Sequence, residues 1–256
     1  MIKGIDVSHW QNDIDWKKVA KDGIEFAVMK ATEAVGYVDP KLEENYKEAR
    51  KQGLLLGFYH FARGGDAHKE ADFFLDNIPH LEKGEFLVLD YEINIVKEAE
   101  WCKRFLDRVF DRTGIRPLLY TNEARVKSIN WEPVVKGNYG LWVAKYGVNN
   151  GKQNQEPNIG QWPFAVMWQY TSRGSVDGIH GNVDLNVAYV KDVETLAKYG
   201  APEDYVPDEE KIDGMKKELE EERTKNGELT RQLEEKTKEI SNLKEKLSKI
   251  RDLSKY

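Results

Sequence analysis

Through about its first 195 residues the chain alternates short apolar, strand-forming runs with amphipathic, helix-forming ones, and this alternation most narrows what it can become. KGIDV gives way to IDWKKVAKDG, IEFAVMKAT to KLEENYKEARKQG, and LLLGFYHFA to DAHKEADFFLDNI. FLVLDYE is followed by KEAEWCKRFLDRVFDRTG and PLLYTN by EARVKSI; LWVAKYG, AVMWQYTS and GNVDLNVAYV then come with little helix between them. A parallel neighbour is reached only through a crossover, so strands separated by helices predict a mostly parallel sheet. Eight strand candidates in this length point to one compact β/α barrel. Several helices are expected to close on a left-handed glycine, at Gly23, Gly53 and Gly114. The run VNNGKQNQEPNIGQWP reads as a polar loop, so the last third is expected to close the barrel irregularly and partly antiparallel.

Composition divides the chain where the alternation stops. All seven Trp precede residue 170, whereas residues 206–255 hold no aromatic residue and are about half charged. The stretch YGAPEDYVPDEE has the Gly, Pro and acidic character of a linker. Beyond it a heptad register can be counted, with Ile212, Leu219, Asn226, Leu233, Ile240 and Leu247 at a and Met215, Glu222, Leu229, Lys236, Leu243 and Ile250 at d. Nine of these twelve are apolar, the seam of a coiled coil. Asn226 at an a position favours a parallel homodimer, because two facing amides can pair in that register and are left unsatisfied in most others. The alternative is a single solvated amphipathic helix or one folded back on the barrel. The expected organisation is a barrel over residues 1–199, a linker over 200–211 and a coiled-coil helix over 212–253.

Several classes of function are excluded or disfavoured. The net charge of −6 is spread over both parts, with none of the clustered Lys and Arg that a nucleic-acid binder needs to neutralise phosphate. Cys102 is the only cysteine, so no intramolecular disulfide or cysteine-based zinc site can form; it reads as a small buried apolar side chain. MIKGIDVSHW lacks the apolar core of a secretory signal, and no run approaches the length of a membrane span. The expectation is a chain made in a cytoplasm; if it works outside, something else releases it.

In a parallel barrel the loops at the carboxyl ends of the strands converge on one face, and chemistry gathers there. The first strand candidate ends in Asp6, the fourth in Asp90-Tyr91-Glu92, and the last carries Asp184. Four acids therefore converge on one mouth. Side chains at i and i+2 of a strand share a face, so Asp90 and Glu92 point together while Tyr91 points away. Two like charges at a buried strand end are costly unless one is protonated, and a protonated carboxyl beside an ionised one is what acid catalysis requires. Trp10, Tyr59, Phe61, Tyr120, Trp142, Tyr146, Trp168 and Tyr170 lie at or near strand ends. Acids ringed by such faces suit a sugar polymer. His60 points to the face opposite Tyr59 and reads as a structural histidine.

The motifs GIDVS with Trp10-Gln11, GFYHFAR at 57–63, LDYE at 89–92, and WQYTS followed by GNVDLN at 168–186 resemble the glycoside hydrolase family 25 lysozymes, the Chalaropsis-type muramidases common among phage endolysins. The resemblance runs from about Ile2 to Tyr199. It implies a flattened, irregular TIM-like β/α barrel that hydrolyses the β-1,4 bond between N-acetylmuramic acid and N-acetylglucosamine in bacterial peptidoglycan, with no cofactor and no metal. It implies Glu92 as general acid, Asp90 as its neighbouring carboxylate, and Asp6 and Asp184 as the other cleft acids. Tyr59 would be a hydrogen-bond donor near the reacting sugar. The tail departs from the family pattern, since it holds no aromatic-rich repeat that could bind a wall. Two rival readings remain: a catalytically silent glycan-binding module, and a barrel phosphodiesterase whose acids hold Mg²⁺ or Ca²⁺.

Overall fold

The computed structural model of the protein describes residues 1–202 and, beyond them, Thr224, Gly227, Glu228, Arg231, Leu233, Lys236 and Thr237. The chain divides into two compact units, Met1–Asp204 and Tyr205–Tyr256. In the second, the seven described residues are helical, and Thr237 donates its hydroxyl to the Leu233 carbonyl one turn back at 2.7 Å. The coiled-coil seam and the dimer it implies otherwise lie outside the described residues.

The first unit is a closed barrel of eight strands: β1 (Ile2–Val7), β2 (Phe26–Glu33), β4 (Leu55–Phe61), β5 (Phe86–Asp90), β6 (Leu118–Asn122), β7 (Leu141–Ala144), β8 (Met167–Gly174) and β9 (Val183–Ala188). A ninth strand, β3 (Tyr37–Val38), is a two-residue antiparallel addition to β2, too short to show periodicity in the sequence. Neighbours are parallel from β1 through β2, β4, β5, β6 and β7 to β8. Only β9, antiparallel to both β8 and β1, closes the ring. Only eight residues, 175–182, join β8 to β9, too few for a crossover, so this last pair is antiparallel.

The helices α1 (Trp16–Lys21), α2 (Leu42–Arg50), α3 (Ala67–Asn77), α4 (Glu98–Thr113), α5 (Glu123–Ser128), α6 (Glu132–Lys136) and α7 (Val193–Ala197) complete the unit. The sequence pattern does not reveal α6, only five residues long. The longest, α4, buries Ala99, Trp101, Cys102, Phe105, Leu106, Val109 and Phe110, and it stops at Gly114, whose φ of 71° lets its N–H reach back 2.7 Å to the Phe110 carbonyl.

Strand parity sorts the core into two parts. Ile5, Val7, Ala27, Met29, Leu56, Phe58, Leu87 and Leu89 face outward and pack with the helices. Ile2, Phe26, Val28, Leu55, Phe86, Val88 and Leu118 fill the barrel itself. Two glycines make that filling possible: a Cβ on Gly4 would lie 2.3 Å from the Phe26 ring, and one on Gly57 2.6 Å from the Phe86 ring. Alanine at either would overpack the barrel at a cost of about 1–3 kcal/mol. The plugged interior leaves the carboxyl-end mouth as the place where polar side chains of the same parity emerge.

Candidate active site

Register assembles the mouth. Phe61 on β4 lies beside Asp90 on β5, Asp90 beside Tyr120 on β6, and Tyr120 beside Trp142 on β7, one row across four strands. Across the closing seam Asp6 on β1 pairs with Asp184 on β9. The result is a cleft of about 240 Å³ lined by Asp6, Ser8, Trp10, Lys30, Tyr59, Phe61, Asp90, Glu92, Tyr120, Trp142, Tyr146, Gln169 and Asp184. All four predicted acids are in it. A larger cavity, about 360 Å³, lies at the amino-terminal ends of β6 to β8 among Arg116, Tyr139, Trp162 and Tyr199, and none of its lining residues is an acid.

Asp90 ends β5, and the chain then turns Tyr91 outward into full burial, its ring 6.0 Å from Trp101 and 6.1 Å from Trp131. Glu92 returns to the cleft side. Arg125, from α5, fixes this segment by donating to the Glu92 carbonyl at 3.1 Å, to Asn94 Oδ1 at 2.6 Å and to Glu98 Oε2 at 2.9 Å.

The four acids sit in different surroundings. Asp90 is 7 % exposed, and its buried Oδ1 has no hydrogen-bond partner among the described residues. Burial pushes its proton affinity well above the ordinary carboxylate range, and Glu92, Asp6 and Asp184 add to this while Lys30 opposes it. Asp184 is half-buried and is pushed up to about 8, first by burial, then by Asp6 and Glu92. Glu92 is the most open of the four; enclosure by the cleft raises it, and the Arg125 charge holds it back. Asp6 rises only to about 6, because amide hydrogen bonds from Asn186 and Gln169 offset its burial.

Those two amides are absent from the residues the sequence singles out. Gln169 Nε2 and Asn186 Nδ2 both donate to Asp6 Oδ1, at 2.9 and 2.7 Å. Gln169 Oε1 accepts from the hydroxyls of Tyr120 and Tyr146, each at 2.7 Å, and Asn186 Oδ1 accepts from Trp142 Nε1 at 2.9 Å. Lys30, equally unmarked in the sequence, pairs with Glu33 Oε2 at 2.5 Å and stands 5.1 Å from the Phe61 ring. Trp10 projects from the mouth at 76 % exposure on the short 3₁₀ turn His9–Gln11, whose ends are tied by the Ser8 and Gln11 side chains.

Trp168 and Tyr170 are not in the cleft, contrary to the expectation from sequence. They flank Gln169 on β8, and strand parity sends them to the other face, where their rings lie 5.8 Å apart and Trp168 Nε1 donates to the Lys145 carbonyl at 2.9 Å. A polar residue between two aromatics in a buried strand was the available signal. His60 is structural in its placement: fully buried on the outer face, it bonds Thr32 Oγ1 at 2.8 Å and Glu70 Oε2 at 3.0 Å. Among the described residues no three His, Cys, Asp or Glu side chains group closely enough to hold a metal ion, and no helix is long and apolar enough to cross a membrane.

A β/α barrel whose carboxyl-end cleft carries several acids of raised proton affinity, with aromatic faces at its mouth, has the equipment of a glycoside hydrolase. The chain belongs to the glycosyl hydrolases family 25, whose model matches residues 5–179, more than half of its length. Asp184 lies beyond that match, and the β1–β9 pairing nonetheless sets it against Asp6. Lysozyme M1 of Streptomyces globisporus is 30% identical over 208 residues, covering 72% of this chain and 67% of that protein. The crystal structure of the bacterial lysozyme from Streptomyces coelicolor superposes with a TM-score of 0.65 at 30% identity, covering 77% of this chain and 95% of that one. A family 25 glycosyl hydrolase from Bacillus anthracis gives the same TM-score at 26% identity, covering 78% and 94%.

Proposed function

We propose that the protein hydrolyses the β-1,4 bond between N-acetylmuramic acid and N-acetylglucosamine in bacterial peptidoglycan, with Glu92 giving its proton to the leaving oxygen. The observation that carries this reading is the convergence of Asp6, Asp90, Glu92 and Asp184 in one cleft whose enclosure raises the proton affinity of all four. A proton donor must hold its proton and also reach the substrate. Asp90 holds one but is recessed; Glu92 combines raised affinity with access. In this reading Asp90 is the recessed partner carboxyl of Glu92, Asp6 supplies a standing negative charge, and Tyr59, Trp10, Phe61, Tyr120 and Trp142 bind the sugars. The lysozymes among the relatives supply the substrate class.

One observation favours a second assignment of the donor. Asp184 is half-buried and pushed up to about 8, so it too combines a held proton with access. Variant kinetics on substrates with different leaving groups separate the two assignments.

The heptads of the tail support a further part of the reading, a parallel dimer that presents two clefts to one polymer and raises local concentration. Sedimentation of the full chain tests it, and a monomer would end it. For the reaction itself, mass spectrometry of digested peptidoglycan is the test, with EDTA present throughout. Products with muramic acid at the new reducing end are expected; glucosamine at that end, no products, or loss of activity to the chelator would contradict the reading.

A further inference from the structure

The bonds that surround Asp6 are directional in a way the cleft's other acids do not share. The Gln169 side chain is 2 % exposed and Asn186 is 1 % exposed, so neither amide is free to find water. The carbonyl end of Gln169 is taken by two phenols, Tyr120 and Tyr146, and that of Asn186 by the Trp142 indole. An indole N–H can only donate, so the Asn186 oxygen must face Trp142 and its NH₂ must face Asp6. A phenol both donates and accepts, yet Gln169 meets two of them with one atom while its other end lies against Asp6 Oδ1. Both amides are placed to present N–H to the same carboxylate oxygen, and Asn186 cannot turn round without losing its bond to Trp142.

We propose that Gln169 and Asn186 are positioning residues: a pair of amide donors that keeps Asp6 the most readily ionised of the three cleft aspartates, so that Asp90 and Asp184 hold their protons more tightly than Asp6 does. Two donors to one oxygen stabilise the anion and do nothing comparable for the acid form. The groups facing Asp6 work against its ionisation except one: Asp184 on β9 and Asp90 and Glu92 at the end of β5 repel it whenever they are ionised, and Lys30 on β2 is the cation of the cleft lining. Tyr59, Tyr120 and Tyr146 are neutral phenols there, with proton affinity raised by burial. Against three acids, the amides are what separates Asp6, at about 6, from its cross-strand partner Asp184, at about 8. The role follows from position. Asn186 lies two residues beyond Asp184 on β9, opposite Gln169 on β8, so the antiparallel seam that closes the barrel also delivers the donors.

The kinetic arm of the test rests on the hydrolase reading; a spectroscopic arm does not. In the first, Asn186→Leu keeps the branched outline and removes the donor to Asp6 together with the acceptor for Trp142, and kcat/KM on peptidoglycan is measured against pH. The acidic limb, which reports ionisation of Asp6, is expected to move up by about one pH unit, with kcat/KM converging on the wild-type value above it. Uniform loss at every pH with the limb in place would show a merely structural residue and overturn the proposal. In the second, the carboxyl ¹³C resonances of the cleft aspartates are titrated in the unaltered full chain, assigned by comparison with Asp6→Asn. Asp6 is expected to ionise at the lowest pH of the three. If Asp6 ionises after Asp90 or Asp184 the proposal fails, whether or not the protein proves to be a hydrolase and whether or not the Leu variant folds.

Discussion

Glu70, on α3 against the outer face of β4, and Asp90, at the end of β5 facing the cleft, are both carboxyls shut away from water, and they hold protons in opposite senses. Burial pushes both up. At Glu70 it is outweighed: Oε2 receives His60 Nε2 and the Arg63 N–H, each at 3.0 Å, Oε1 receives the Gly65 N–H at 2.6 Å, and the group ends below its usual range. Asp90 has an oxygen with no partner and three acidic neighbours, and it ends far above. Depth alone therefore does not mark a catalytic acid. The number of hydrogen bonds reaching the anion does, and it separates an acid that fastens the fold from acids that can carry a proton in a reaction.

The sharpest way to break this comparison is to neutralise one acid from each side. Glu92→Gln is expected to lower peptidoglycan hydrolysis by at least about a hundredfold, the lower range for losing a general acid. Glu70→Gln, on the outer side, should keep kcat close to wild type in the same reducing-end assay. Comparable losses in both would erase the distinction.

Stability should invert that order. Glu70→Leu leaves His60 and two backbone N–H groups without their acceptor and is expected to cost about 1–3 kcal/mol in chemical denaturation. Asp90→Asn removes a carboxyl whose proton affinity burial raises, and it should gain rather than lose stability near neutral pH, since the unfolded chain ionises that group at its ordinary value.

A smaller effect sharpens the comparison through pH. Asp184 has a folded value of about 8 against 3.8 for the free group, so the folded state binds the extra proton and stability falls as pH rises through that window. Glu70 is depressed below 4.5, so its contribution is present above that value and lost as pH falls. Asp184→Asn should flatten the alkaline decline of Tm between about pH 4 and pH 8 and leave the acid side unchanged. A decline as steep as in the wild type would contradict the assignment.

Much of the fold and of the cleft is legible in the amino-acid sequence. The alternation predicts the barrel, the shortage of late helices predicts the antiparallel closure, and the spacing of Asp90, Tyr91 and Glu92 predicts which two share the cleft. The errors concern phase. On β8 both faces are packed, so apolar character does not tell inner from outer, and the aromatic pair Trp168 and Tyr170 masks the Gln169 between them. The i, i+2 rule that joins Asp90 to Glu92 also joins Asp184 to Asn186, where it goes unused. The Arg125 bonds to the Glu92 segment and the Lys30–Glu33 pair lie beyond the reach of sequence patterns, because they depend on how long side chains cross between elements.

The central claim is that a carboxyl of this cleft gives its proton to the leaving oxygen, and that it is Glu92. Its most direct test compares Glu92→Gln and Asp184→Asn on two substrates: the natural glycan, whose sugar leaving group needs protonation, and an aryl glycoside whose acidic phenol does not. The account predicts that the Glu92→Gln defect is severe on the glycan and largely rescued on the aryl substrate, while Asp184→Asn loses the same factor on both. Equal loss by Glu92→Gln on the two substrates, or rescue seen only with Asp184→Asn, would contradict it.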